Sequence, residues 1–180
     1  MGQPKQLLPF QDKPFIIHCL DGLLASGIRD IVVVLGNHGN KIAGIIRDLP
    51  VNIVFNNDPE SEMAESVRVG LLAIDNASSG VLICLSDHPL VRSETYKIIL
   101  NAHFESPDRI VIPVYNRQRG HPSLFPKSLA DKVFTGLNLK QVIDASPELV
   151  TCVPVSDQGT ILDIDSMEDY ERMCRSLSQA

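Results

Sequence analysis

The most chemically pointed residue in the chain is Asp87, in the run Ser86-Asp87-His88-Pro89 that follows the apolar stretch VLICL of residues 81–85. A carboxylate just past a buried strand, in a turn fixed by Pro89, projects into the crevice where α/β sheets bind their ligands. There it suits Mg²⁺, which takes one or two protein oxygens and completes its shell with water and substrate phosphate. The same spacing suits an ordinary turn-capping Asp, and both readings stay open.

Other residues carry similar alternatives. Lys5 follows Pro4 and precedes Leu7-Leu8-Pro9-Phe10, so its loop is anchored by apolar neighbours. A compact cation so placed suits a phosphate, although the Walker A order is absent and a plain surface lysine explains it too. Asp163-Ile164-Asp165-Ser166 leads into the last helix. Asp165 or Ser166, with Glu168 or Asp169 three residues on, forms a complete capping box. Asp165 becomes a metal ligand only if the fold brings it opposite Asp87.

The run from Ser61 to Leu71 opens a helix whose first turn offers backbone N–H groups, the Ser66 hydroxyl and Arg68 to an anion or ribose. In the alternative, Val67, Leu71 and Ile74 are a core stripe and Arg68 is solvated. His88 and His121 lie in loops where either could face a substrate. No G-x-S-x-G elbow supports a serine nucleophile, and no two histidines have zinc-ligand spacing.

These residues need a scaffold that gathers loops at one edge. Strands are expected at Ile31–Leu35, Val51–Phe55, Val81–Leu85, Arg109–Pro113 and Val150–Val155. Helices are expected at Pro14–Ser26, Asn40–Asp48, Met63–Ile74, Ser93–Phe104, Lys127–Phe134, Leu139–Ala145 and Ser166–Leu177. IVVVL and VLICL are apolar without alternation, as strands covered on both faces are. Strands alternating with helices predict right-handed crossovers and a three-layer α/β fold. Each strand is followed by a polar loop: Gly36-Asn37-His38-Gly39, Asn56-Asn57-Asp58-Pro59, Ser86-Asp87-His88-Pro89 and, a little later, Gly120-His121-Pro122.

Composition bounds the reading. The chain has 180 residues, 44% hydrophobic and 21% charged, enough for one domain that buries ~70% of its unfolded surface. No apolar run approaches the ~18 residues of a membrane span, and no signal peptide is visible. Four dispersed cysteines without a C-x-x-C pair read as reduced thiols of a cytoplasmic protein. A net charge of −6 argues against a nucleic-acid footprint. An anionic ligand would therefore be held by a few placed cations, helix N-termini and a metal.

Taken in order, MGQPKQLLPF, IVVVLGNHGN, NNDPESEMAESVRVGL, LSDHPLV, RGHPSLFP and LDIDSMEDY resemble the nucleotidyltransferase family of molybdenum-cofactor biosynthesis, which includes synthases of molybdopterin guanine dinucleotide, and specifically its cytidylyltransferase branch. The resemblance runs through nearly the whole chain. It implies a single nucleotidyltransferase-like domain over residues 1–180, with a three-layer, Rossmann-like, mostly parallel sheet of the nucleotide-diphospho-sugar-transferase type. Family chains begin earlier, with a strand and a loop similar to L-A-A-G-x-S-x-R-M-G-x-P-K, and Met1-Gly2-Gln3-Pro4-Lys5 looks like the final third of that loop. The domain is thus expected to be N-terminally incomplete relative to the family. The missing strand would be central, leaving an unpaired groove and a weakened fold.

By resemblance, Lys5 binds the triphosphate and stabilises charge in the transition state. Asp87 holds Mg²⁺, with Asp165 as second carboxylate and Asp163 behind it. Ser66, with Asn57 and Arg68, belongs to the nucleotide-recognising segment, and Gly120 and His121 face the pterin substrate. Glu62 departs from the family, which usually has glycine there. The implied reaction transfers CMP from CTP to the terminal phosphate of a molybdopterin-type cofactor and releases pyrophosphate, with a molybdenum hydroxylase as a downstream partner. Relatives use GTP or acceptors such as sugar and polyol phosphates, so base and acceptor stay open. A non-catalytic cofactor-binding or insertion chaperone, having lost the triphosphate loop, is the reading from a different class.

Overall fold

The structure is a computed structural model that describes residues 4–36, 39–58, 60 and 62–177. The motif residues Met1-Gly2-Gln3, Asn37-His38, Pro59 and Ser61 lie outside them. A single 3-10 turn, Lys5–Leu7, leads into a small antiparallel pair, β1 (Pro9–Phe10) and β2 (Lys13–Pro14). Helix α1 (Phe15–Ala25) then precedes β3 (Val32–Leu35), α2 (Asn40–Ile46), β4 (Asn52–Phe55), α3 (Met63–Leu72) and β5 (Gly80–Ile83). After α4 (Ser93–Glu105) come β6 (Ile110–Tyr115), β7 (Gln118–Arg119), β8 (Ser123–Pro126) and α5 (Lys127–Ala130). Helix α6 (Leu139–Ala145), β9 (Val150–Pro154) and α7 (Met167–Leu177) complete the described chain.

The expected strands all form, trimmed or shifted by a residue or two. Strands β3 and β4 pair in parallel. Strands β5, β8, β6 and β7 form a mixed sheet, to which β9 adds in parallel on β6. The sequence reading missed β8, whose SLFP is too short and too close to the Gly120-His121-Pro122 turn to show periodicity. It lies antiparallel between β5 and β6, and all four of its residues are buried. The stretch expected as one helix over Lys127–Phe134 is instead α5 followed by a 3-10 turn, Asp131–Thr135, which ends at Gly136 with φ 93°.

Alternation along the strands distributes side chains between helical layers. On β6, Ile110 and Ile112 face a cluster with Leu71, Phe125, Leu129, Val133 and Val142, whereas Val111 packs with Ile99 and Leu124 on the opposite side. On β3, Val33 and Leu35 join Ile16, Leu20 and Leu23 of α1, while Val34 lies under Gly70 of α3, where an added Cβ would sit 3.1 Å from its methyl group. This is the expected three-layer α/β arrangement.

A separate cluster brings the two ends of the chain together. Phe10 and Phe15 meet Ile164 and Met173, and the Tyr170 hydroxyl donates to the Pro9 carbonyl at 2.7 Å. That packing carries residue 5 to residue 165. Between β3 and β5 lies a gap. Among the described residues neither strand pairs across it, and a groove of about 710 Å³ lined by both strands separates the two sheets.

Candidate functional site

The loop after β5 carries Asp87. Its backbone carbonyl accepts from the Ile164 N–H at 3.0 Å, which ties the Asp163–Asp165 segment to the sheet edge. Ile164 is buried in the end-to-end cluster, and its neighbours on either side therefore point outward. Asp165 reaches the Lys5 ammonium at 2.8 Å, and Asp87 Oδ2 stands 3.5 Å from the same ammonium. The condition set for Asp165 is met, since the fold gathers both carboxylates around one cation.

The helix cap explains why Asp165 is free to do so. Ser166 and Asp169 form the reciprocal bonds of the cap: the Ser166 N–H and hydroxyl donate to Asp169 Oδ2, and the Asp169 N–H donates to Ser166 Oγ. Of the two capping pairs open in the sequence, the structure uses the second.

Burial alone would lower the Lys5 pKa, but its bond to Asp165 and the fields of Asp87 and Asp165 outweigh it, and the pKa is raised. The hydrogen bond and charge of Lys5 lower the pKa of Asp165. Lys5 is therefore a firmly charged ammonium between two acceptors.

Beside this trio stand two imidazoles. His88 is buried, its Nδ1 lies 3.3 Å from the Gly159 carbonyl, and its Nε2 lies 4.0 Å from Asp87 Oδ1. A carbonyl only accepts, so Nδ1 is the donor of that contact. The His121 ring lies 5.1 Å from that of His88. Its pKa is lowered, first by burial and then by His88. Asp87 Oδ1 and His121 Nδ1 are both buried without a hydrogen-bond partner. Unpaired buried groups are costly unless a ligand, ion or water meets them, so they mark where one is received.

Gly120 holds His121 in place. Its N–H donates to Pro113, the His121 N–H donates to Thr160 at 2.8 Å, and a Cβ on Gly120 would collide with the Thr160 backbone. The turn at Gln158–Thr160 thus positions both histidines. It is built on Asp157, a buried carboxylate that accepts from Thr95 Oγ1 at 2.6 Å, Arg92 N at 2.9 Å and Gly159 N at 3.0 Å. The sequence reading missed Asp157. The Ser-Asp-x-Gly turn after the VTCVPV strand was a signal for it.

The residues assigned to the nucleotide segment have different surroundings. The buried Asn56, not the exposed Asn57, reaches Ser66, its amide donating to the hydroxyl at 3.0 Å. Ser66 lines the same cavity as Gln6 and Ser86, which are joined at 3.3 Å. Arg68 lies elsewhere. Two helix residues on from Ser66 is about 200° around the axis, and Arg68 bonds the Val133 carbonyl and Glu65 beside a separate polar pocket with Asn138 and Gln141. Glu62 stands at the N-cap of α3 without a side-chain capping bond.

Asp87 and Asp165 with an unpartnered carboxylate oxygen fit a divalent cation. Among the described residues no three His, Cys, Asp or Glu side chains form a ready-made metal cage. None of the four cysteines is in a disulfide, Cys152 is exposed, and burial first and Asp87 second push the Cys19 thiol up to about 12. No helix among the described residues is long and apolar enough to cross a membrane.

Residues 1–146 match the model of the MobA-like NTP transferase domain. Over 94% of its length, and 87% of the relative's, the chain is 27% identical to nicotine blue oxidoreductase of Paenarthrobacter nicotinovorans. Its fold is similar to that of Rv0371c from Mycobacterium tuberculosis H37Rv, at 24% identity, TM-score 0.85 and coverage of 97% and 91% of the two chains. That protein is also known in complex with manganese, a structure that matches at TM-score 0.79. A CMP:2-keto-3-deoxy-manno-octonic acid synthetase complexed with CTP matches at TM-score 0.78 and 12% identity, over 97% of this chain and 92% of its own.

Proposed function

Because the chain belongs to the MobA-like NTP transferase domain family, and is a nucleotidyltransferase by that membership, we propose that it transfers CMP from CTP to the terminal phosphate of a molybdopterin-type cofactor. The observation that carries the reading is the Lys5 ammonium between Asp87 and Asp165, with Asp87 Oδ1 left unpartnered. The CTP complex of a similar fold and the manganese complex of another support a nucleotide and a divalent cation as ligands.

In this reading an acceptor phosphate oxygen attacks the α-phosphorus of CTP. The bond to the β-phosphate oxygen breaks, and pyrophosphate leaves with its electron pair. No covalent enzyme intermediate forms. Lys5 holds the triphosphate and offsets the charge that grows on the leaving group. Bound Mg²⁺ supplies charge neutralisation and a template for the phosphates. Asp87 and Asp165 hold it, which requires them to share or release Lys5. Ser66, oriented by Asn56, contacts the nucleoside. Gly120 and His121, with His88, form the acceptor wall, and neutral His121 offers a hydrogen bond to a pterin rather than a charge to its phosphate. The product would pass to a molybdenum hydroxylase.

A thermal-shift titration of the chain with CTP, GTP and ATP, with and without Mg²⁺, tests this. Binding at about 100 times Kd stabilises the native state by ~2.7 kcal/mol. A Mg²⁺-dependent shift strongest with CTP supports the proposal. A shift strongest with GTP or ATP replaces the base, and no shift with any of the three overturns the proposal.

A further inference from the structure

The hairpin that leads into Gly120 and His121 is the most basic stretch of the chain. Arg117 and Arg119 fall within three positions, which no other two Lys or Arg residues do, in a protein whose net charge is −6. Both are exposed, and among the described residues neither makes an ion pair or a side-chain hydrogen bond.

The turn fixes where they point. Val114 stands opposite Arg119 and Tyr115 opposite Gln118. Asn116 and Arg117 are therefore the two loop residues, with φ of 47° and 68°, as a tight turn matched to the strand twist requires. Glycine is favoured at the second of these positions, so the hairpin holds a long cation at its tip against backbone preference. Cross-strand partners share a face. Arg119 thus emerges with Val114, on the side of β6 that Ile110 and Ile112 present to Leu71 of α3. Gly120 faces the other way, where the Thr160 backbone occupies the place of a Cβ. His121 returns to the side of Arg119, about 7 Å further along, and there its ring meets that of His88. An arginine side chain spans that separation.

The charge at this edge calls for such a group. A phosphomonoester carries about −1.5 to −2 at pH 7, and as acceptor it must approach a triphosphate beside Asp87 and Asp165. Lys5 already stands between those two carboxylates. Arg92 is engaged by the Ser156 carbonyl and by Asp157. The unengaged cations are on the strand that supplies His121.

We propose that Arg119 binds the phosphate of the acceptor, with Arg117 at the hairpin tip as a second, weaker cation. The planar guanidinium fork meets two phosphate oxygens at once, which leaves the third directed toward the α-phosphorus of the nucleotide. The inference rests on the reading of a phosphorylated acceptor and names the residue that selects it over the unphosphorylated alcohol.

Inorganic phosphate titrated into the whole chain is the probe, and the arginine Nε–H resonances are the readout. The Arg119 signal, identified by its loss in Arg119→Gln, is expected to move saturably with phosphate and far less with chloride at equal ionic strength. The response should persist in Lys5→Ala; its disappearance there would place the phosphate at Lys5 and overturn the proposal. CTP with Mg²⁺ is titrated in parallel by thermal shift. A CTP response with an Arg119 signal that follows phosphate no more than chloride overturns the proposal and leaves the nucleotide reading standing. A phosphate response without any CTP response supports the anion subsite and sinks the nucleotide reading. In turnover, Arg119→Gln should raise the KM of the phosphorylated acceptor about tenfold or more, the scale of one charge-assisted hydrogen bond, with the KM of CTP unchanged. Arg119→Lys should restore part of that loss, since the charge returns without the fork. Equal rises in both KM values would mark a distorted site rather than a phosphate contact and overturn the assignment.

Discussion

Lys5 Nζ lies 2.8 Å from Asp165 Oδ1 although 160 residues separate them. Neither residue is held by its own element alone. Lys5 opens a 3-10 turn whose following strand packs Phe10 into the terminal cluster, and Asp165 follows Ile164, which packs into the same cluster. The site is therefore only as well formed as that cluster.

The pair has a pH window with a definite sign. The pKa of Asp165 is below the ordinary 3.8, so its contribution is present above that value and is lost as pH falls through the lowered one. The pKa of Lys5 is above 10.5, so its contribution is full below that value and is lost as pH rises through the raised one. Asp165→Asn should flatten the fall of Tm on acidification below about pH 4 and leave the slope near pH 7 unchanged. An identical acid limb in wild type and variant would show that the contact contributes nothing.

Asp87→Asn should lower CMP transfer by about 100-fold or more, the scale of losing a main charge-stabilising group, and remove the Mg²⁺ dependence of CTP binding. Its Tm should stay close to wild type, because Oδ1 makes no hydrogen bond that the fold depends on. Steady-state rates and a melt answer this together. Retained activity would take Asp87 out of the metal site.

Asp157→Ala removes the acceptor of three donors in a buried turn. Leaving them unmet costs about 3 kcal/mol or more, a Tm loss of roughly 10 °C for a domain of this size. The His88 and His121 ring resonances should shift with it, because the same turn supplies carbonyls to both loops. Intact resonances in a destabilised protein would show that the turn does not position the histidines.

His121 should titrate below the ordinary 6.5, because burial and His88 disfavour its charged form. Stability from keeping it neutral is present above 6.5 and is lost as pH falls through the lowered value. A proton NMR titration gives the midpoint directly. A midpoint above 6.5 would mean that His121 faces Asp87 or Asp163 more closely than it faces His88.

Gly159→Ala tests the same region by crowding. A Cβ at Gly159 would run into the Leu90 backbone, and backbone cannot move aside as a side-chain tip can. The expected loss is about 1–3 kcal/mol, in the range of overpacking changes. A melt indistinguishable from wild type would show that the Leu90 segment has room to shift.

The local elements were legible in the sequence because each is fixed by a short-range pattern. IVVVL and VLICL carry the mark of covered strands, α6 over Leu139–Ala145 has its Asn138–Gln141 capping box, and loops after strands gather at one edge by the geometry of the fold. The same rules placed Asp87. What they could not decide was any choice between two locally satisfactory partners. Asp165 or Ser166 as the helix cap, and Arg68 toward a ligand or into solvent, differ only in which neighbour the packed chain supplies, and the packed chain gives Arg68 Glu65 and the Val133 carbonyl. The β8 strand and the buried Asp157 escaped for a similar reason, since a two-sided central strand and a buried carboxylate are stable only with partners distant in sequence. The sequence alone thus determined the order of elements and the chemistry available at their ends. The tertiary structure decided which of those groups meet, because contact between residues 5, 87 and 165 depends on packing energy that no local segment contains.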